Sequence, residues 1–204
     1  MIITGITELD KRRKRIFIDD EYAFMLYNGE IARYGLKVGE EIDEASLESI
    51  SELLIRRIKE RIFYLIGDMD RTEAGIRSKL SMAGYPDRYV DIAVSELKEL
   101  SYIDDYKYAR TYVENMVNNH GRSRRMIEQG LYQKGVQRSI IEQVMSETDF
   151  DDDRLILDAL RKKGYDRESL KTADTDTKRR LYNYLLRKGF YSSAISSFFH
   201  CDLD

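Results

Sequence analysis

The 204-residue sequence holds one cysteine, one proline, two histidines and no tryptophan. Each scarcity excludes something. Cys201 alone cannot close an internal disulfide, so the chain is not a small scaffold held by bridges. With only His120 and His200, a histidine-rich metal centre or a Ser–His–Asp triad has little to be built from. No run of about 18 apolar residues exists, so no segment reads as membrane-spanning. The start, MIITGITELD, lacks the basic residues and apolar stretch of a signal peptide. A cytoplasmic protein away from membranes is expected. Neither GxxxxGK[ST] nor GxGxxG occurs. Asp68 and Asp70 form a DxD that would suit Mg²⁺, but they read as a polar loop before the next helix. His200-Cys201 would be half a metal site and lacks a second pair. No catalytic constellation is left, so the expectation is no enzyme, no cofactor and no metal. A single proline in so long a chain favours helices.

What is present is charge and periodicity. Asp, Glu, Lys and Arg make up 35% of the residues, yet the net charge is only −3. A chain so nearly neutral is not a generic nucleic-acid binder, and the placement of its charges decides. Hydrophobic residues reach 42%, enough for a packed core. The first forty residues read as short strands, Ile2–Leu9, Arg15–Asp19 and Tyr22–Leu26, with turns at Asp10–Lys14 and around Asp19 to Glu21. Asn28–Arg33 suits a turn or two of helix. From Asp43 the period becomes helical. Ile50, Leu53, Leu54, Ile58, Ile62 and Leu65 trace one face of a helix ending near Gly67.

One short sentence then recurs three times: TEAGIRSKLSMAGY (Thr72–Tyr85), GRSRRMIEQGLYQKGV (Gly121–Val136) and TKRRLYNYLLRKGF (Thr177–Phe190). Aligning Gly84, Gly135 and Gly189 stacks Ile76 on Ile127 on Leu181, and Leu80 on Leu131 on Leu185. The next residue is apolar each time: Tyr85, Val136 and Phe190. The glycines are 51 and 54 residues apart, a spacing that marks a repeat architecture. Each copy reads as a helix that a C′ glycine ends, and Ser123 suits the N-cap of the middle one. A longer helix precedes each copy and another follows: Asp87–Leu100, Arg138–Glu147 and Tyr191–Phe199. In these, Val90, Ile141 and Ile195 coincide, as do Ala93, Val144 and Phe198. The connection GYDRESLKTADTD in the third unit is longer and polar. The expected organisation is a small N-terminal β-strand appendage over 1–45 and three-helix repeats over 46–103, 104–149 and 150–204. The fold class is mainly α: three tandem helix-turn-helix-like repeats in an elongated array, after a small β element. Without a heptad seam extending beyond one helix, a monomer is expected.

The basic residues fall on the same element in successive repeats. Arg124 and Arg125 match Lys178 and Arg179, and Lys134 matches Lys188. Arg122, Arg138, Arg180 and Arg187 lie beside them. Repeats on a common axis would align these into a stripe that meets phosphates or acidic protein patches. The first repeat has Glu73 and Ala74 at the matching places, so the stripe is expected on the second and third. The hairpin DKRRKR (Asp10–Arg15) is a second candidate contact; exposed charge there also protects a strand edge from pairing.

The segments SYIDDYKYARTYVENMV, GRSRRMIEQGLYQKGV and KRRLYNYLLRKGF, in that order and spacing, resemble the RecX family, bacterial regulators of the RecA recombinase. The resemblance runs from about residue 50 to the C-terminus and extends to the N-terminal strands. It implies three tandem three-helix units in a curved, extended molecule. It also implies a protein that lies in the groove of the RecA–DNA filament, inhibits its ATPase, strand-exchange and co-protease activities, and favours disassembly. The partners implied are the RecA filament and, weakly and without specificity, single- and double-stranded DNA. The alternative is a sequence-specific helix-turn-helix DNA-binding protein. Its recognition helices would need a common base-reading set, which Asp87, Arg138 and Ser192 do not supply. Gly75 and Gly130 depart from helical preference, since each sits inside a predicted helix.

Overall fold

The computed structural model describes residues 1–68 and 70–201, without the side chains of Asp68 and Cys201. The DxD and His200-Cys201 readings therefore lie partly outside the described residues. The chain divides into two compact units, Met1–Asp104 and Asp105–Asp204.

The first unit opens with three antiparallel strands in the order β1 (Ile3–Glu8), β2 (Arg13–Ile18), β3 (Glu21–Tyr27). β2 starts two residues earlier than its hydrophobicity suggests. The Asp10 carboxylate accepts the backbone N–H groups of Arg12 and Arg13 and pairs with the Arg13 guanidinium, so the turn closes within the basic run. The Arg12 N–H, followed by the Arg13 side chain, holds the Asp10 pKa below the usual carboxylate value. Four successive residues of β3, Ala23 to Leu26, are buried, so both faces of that strand are covered. Four helices follow: α1 (Asn28–Arg33), α2 (Glu44–Asp68), α3 (Glu73–Met82) and α4 (Asp87–Glu99). Ile50, Leu54, Ile58 and Ile62 of α2 are fully buried, each contributing about 1.5–3 kcal/mol by leaving water. They share one core with Ile16, Phe24 and Leu26 of the sheet and with Ile76, Leu80, Val90 and Val94 of α3 and α4. The basic hairpin is fixed to this body. Arg13 donates to the Ala83 carbonyl at 3.2 Å, and the Tyr22 hydroxyl donates to the Gly84 carbonyl.

The second unit consists of α5 (Asp105–Asn118), α6 (Arg124–Gln133), α7 (Arg138–Glu147), α8 (Asp152–Arg161), α9 (Arg167–Thr172), α10 (Thr175–Arg187) and α11 (Ser192–Cys201). Val113, Ile127, Leu131 and Val144 of its first three helices join Leu155, Leu160, Leu181, Leu185 and Phe198 in a single core. The short helix α9 lies inside the connection that reads as merely polar. Asp166 caps it by accepting the Ser169 N–H at 2.8 Å, and Leu170 anchors it in the core.

The three recurring helices are α3, α6 and α10. Every residue of the stacked register is buried: Ile76, Ile127 and Leu181; Leu80, Leu131 and Leu185; Tyr85, Val136 and Phe190. Gly84, Gly135 and Gly189 have φ of 88°, 77° and 82°, where a Cβ would collide with its own backbone. The three ends repeat one hydrogen-bond motif. Tyr85, Val136 and Phe190 donate their N–H to the carbonyls of Leu80, Leu131 and Leu185 at 3.1, 3.2 and 3.2 Å. Gly164, with φ 86° and Tyr165 bonded back to Leu160 at 3.1 Å, ends α8 in the same way.

Candidate functional site

Half of the basic residues singled out above are gathered by the second unit around two surfaces. The first is an open groove of about 740 Å³ along α6 and α7. Arg124, Arg125 and Arg138 line it together with Glu128, Glu142 and the apolar atoms of Tyr132, Ile141 and Met145. Two of the three guanidiniums are paired within their own helix. Arg124 meets Glu128 at 3.2 Å and Arg138 meets Glu142 at 2.7 Å. The Glu142 hydrogen bond raises the Arg138 pKa above its ordinary value. Among the described residues Arg125 has no acidic partner, so its charge faces solvent uncompensated. Asp152, at the start of α8, has its pKa raised by burial, with Arg124 opposing that rise.

The second surface is formed where the α5–α6 connection, α8 and the end of α10 meet. A cavity of about 150 Å³ is lined by Arg122, Lys162, Lys188, Tyr184 and Asp158, among others. A wider trough of about 510 Å³ continues from it past Gly121 and Lys162 to Arg154 and Arg161. Asp158 is the only carboxylate lining either, and it lies 3.6 Å from Arg161. Arg154, Arg161 and Lys162 carry no mark in the repeat alignment. The signal that could have found them is RKKGY (Arg161–Tyr165), which echoes RKGF at the end of α10.

Several cations also lie over aromatic faces. Arg124 lies 5.4 Å from the ring centre of Phe150, Lys134 5.6 Å from Tyr112, and Lys188 5.7 Å from Tyr184. A ring face orients a cation without cancelling its charge, so the charge stays available to an anion. Lys178, Arg179 and Arg180 lie near the start of α10. Arg179 pairs with Asp176 at 3.2 Å, Arg180 donates to the Thr177 hydroxyl at 2.9 Å, and Lys178 is half-buried. Arg187 is exposed on the last turn. In the first unit the equivalent helix is different: Glu73 bonds Arg77 and Lys98, each at 2.7 Å. Its local charge is consumed internally.

The two surfaces are held in register by one cross-link. Ser123 occupies the N-cap position of α6, but its side chain does not cap that helix. Its hydroxyl, almost fully buried, donates instead to the Lys188 carbonyl at 2.8 Å. Thr72, at the matching place in the register, and Asp174, the N-cap of α10, do cap, accepting from Gly75 at 3.1 Å and Thr177 at 2.6 Å. A Cβ on Gly189 would sit 2.8 Å from both the Ser123 hydroxyl and Met126 Cγ. Glycine at 189 thus serves two ends at once: it closes α10 and lets α6 approach.

Residues 104–145 match the family described as RecX, second three-helix domain. The regulatory protein RecX of Clostridium acetobutylicum is 30% identical over 200 residues, covering 95% of this chain and 92% of the relative. The chain belongs to the RecX family. The regulatory protein RecX of Clostridium tetani is 29% identical over 196 residues, covering 94% and 89%. A crystal structure of a regulatory protein RecX matches with a TM-score of 0.63 at 25% identity, covering 97% of this chain and 98% of that one. The RecX relatives are regulatory proteins, and the mainly helical fold with a small N-terminal sheet is the RecX fold. Among the described residues, no group of three or more His, Cys, Asp or Glu is placed to hold a metal ion. No described helix is long and apolar enough to cross a membrane.

Proposed function

We propose that the protein binds the RecA–DNA filament and inhibits its ATPase, strand-exchange and co-protease activities, regulating recombination and DNA repair without chemistry of its own. The observation that carries this is the gathering of cations on the second unit, where Arg122, Arg125 and Lys188 have no acidic partner among the described residues, in a chain whose overall charge is slightly negative. Such a protein gains electrostatic attraction where it faces phosphates and repels bulk DNA elsewhere. We also assign the contact set to Arg122, Arg124, Arg125, Lys134, Arg138, Lys178, Arg179, Arg180, Arg187 and Lys188. The repeat boundaries at 45/46, 103/104 and 149/150, weak non-specific binding of single- and double-stranded DNA, a monomeric state and a cytoplasmic location belong to the same reading. The single core of the second unit supports a contact surface that moves as one piece, because a filament lattice rewards fixed spacing between contacts.

The test is ATP hydrolysis by RecA on single-stranded DNA, with and without this protein. Inhibition by the wild-type chain that is lost in the variant Arg124→Glu/Arg125→Glu is the expected result. A wild-type chain without effect on RecA would overturn the reading.

A further inference from the structure

The 150 Å³ cavity of the second unit has a charge composition that calls for a ligand. Arg122, Lys162 and Lys188 converge on it, and none has an acidic partner within 4 Å among the described residues. The one carboxylate present, Asp158, already faces Arg161 at 3.6 Å. The Lys162 ammonium stands over Gly121, 3.9 Å from where a Cβ would be. The Lys188 ammonium is carried on the Tyr184 ring. Three like charges brought together around a small hollow repel one another, and the repulsion persists unless an anion enters.

We propose that this cavity binds a phosphomonoester: a single terminal or free phosphate group, entering end-on. Three observations select that class. A water takes about 30 Å³ in the liquid, so the cavity of about 150 Å³ has room for one phosphate group together with a few waters. Its walls come from the α5–α6 connection, α8, α10 and the turn at Phe190, and the trough past Gly121 and Lys162 leaves one open side, from which a terminal group enters end-on. A monoester carries about −1.5 to −2 charges at pH 7, nearer than a diester's single charge to what the three cations offer. Tyr184, Phe190 and Met126 line the same hollow and give apolar surface to whatever the phosphate is attached to. The site shares Arg122 and Lys188 with the contact set proposed above, but its test involves no recombinase, so the two readings fail separately.

The full-length protein is titrated at constant ionic strength with inorganic phosphate, with deoxyadenosine 5′-monophosphate, and with a short oligothymidylate bearing either a 5′-phosphate or a 5′-hydroxyl. Amide resonances of Gly121 and the Lys162 and Lys188 side-chain signals are followed by NMR. The expected result is saturable perturbation of these signals by phosphate, and about tenfold or more tighter binding of the 5′-phosphorylated strand, one additional charge-assisted contact being enough for that factor. The double substitution Lys162→Met/Lys188→Met, at two exposed positions whose alkyl stems it keeps, abolishes the difference. Saturation by phosphate or mononucleotide while neither strand perturbs these signals also supports the site and assigns it to a free nucleotide. Equal perturbation by the 5′-hydroxyl strand places a backbone diester there and overturns the assignment. So does a phosphate response no greater than that to chloride, which the wild-type protein alone can reveal.

Discussion

Replacing Gly189 by alanine isolates how α6 and α10 are joined, because the fold supplies its own control. Gly189 and Gly164 both end helices of the second unit with φ near 80–90°, at 82° and 86°. At Gly164 nothing lies within 4 Å of a new Cβ, so alanine there meets only the backbone penalty of the left-handed region, about 1–2 kcal/mol. At Gly189 the same penalty applies, and the Cβ would also stand 2.8 Å from Met126 Cγ and from the Ser123 hydroxyl. Relieving that overlap costs about 1–3 kcal/mol as overpacking. Moving Ser123 aside also stretches its 2.8 Å bond to the Lys188 carbonyl, worth about 1 kcal/mol. The expectation is a loss of about 1–2 kcal/mol for Gly164→Ala and about 3–6 kcal/mol for Gly189→Ala. Because the chain has two units, a global melting curve mixes their transitions. Native-state hydrogen exchange at the amides of Leu131 and Leu185, deep in the second core, gives the relevant free energy. Equal losses for the two variants would refute the argument that Gly189 is selected for the approach of α6.

Gly130→Ala is expected to destabilise by urea denaturation, although alanine is favoured over glycine in a helix by about 1 kcal/mol. Its Cβ would lie 2.4 Å from the Tyr112 hydroxyl oxygen, and the companion change Tyr112→Phe should restore part of the loss. Glu73 has its pKa lowered; burial opposes the shift, and the hydrogen bonds from Lys98 and Arg77 outweigh it. A carboxylate depressed on folding stabilises above its unfolded pKa of about 4.3, and the contribution fades as pH falls through the lower folded value. Glu73→Gln should therefore flatten the fall in stability of the first unit on acidification below about pH 4.3, measured by urea midpoints. Arg124→Glu/Arg125→Glu should reduce the salt slope of single-stranded DNA binding, by about 0.7 for each phosphate no longer neutralised, with the helical circular dichroism unchanged. An unaltered slope would leave those arginines as a solvated face.

The repeat register was legible because it is local. A helix, its closing glycine and the apolar residue after it lie within a dozen residues, and every stacked position is buried as the alignment requires. The strands were legible by alternation, save that the start of β2 depends on the Asp10 turn rather than on hydrophobicity. What escaped depends on long separations. The Ser123–Lys188 bond spans 65 residues, so a serine that reads as a cap turns out to be a cross-link. α9 escaped because one buried residue, Leu170, carries no period. Arg125 and Arg138 were legible as candidates, but their gathering with Tyr132 and Met145 in one groove needs α6 and α7 folded together. The meeting of Lys162 with Arg122, and of Arg154 with Gly121, was invisible until α8 was seen against the α5–α6 connection. Gly130 departs from helical preference for a reason no local pattern holds: Tyr112 occupies the space of its side chain.

The common core of the second unit also dictates an order of events during synthesis. The chain is made from its N-terminus, and domains fold as their last essential residues emerge. The first unit has its own core, finished by Ile103, so it is ready to fold while the rest is still being translated. The second unit has no such halfway point at residue 150. Ile127 and Leu131 remain without Leu181, Leu185 and Phe198 until the final helix leaves the ribosome. A nascent chain stalled between α7 and α10 therefore exposes half of a core, and that is the length at which a chaperone would find it.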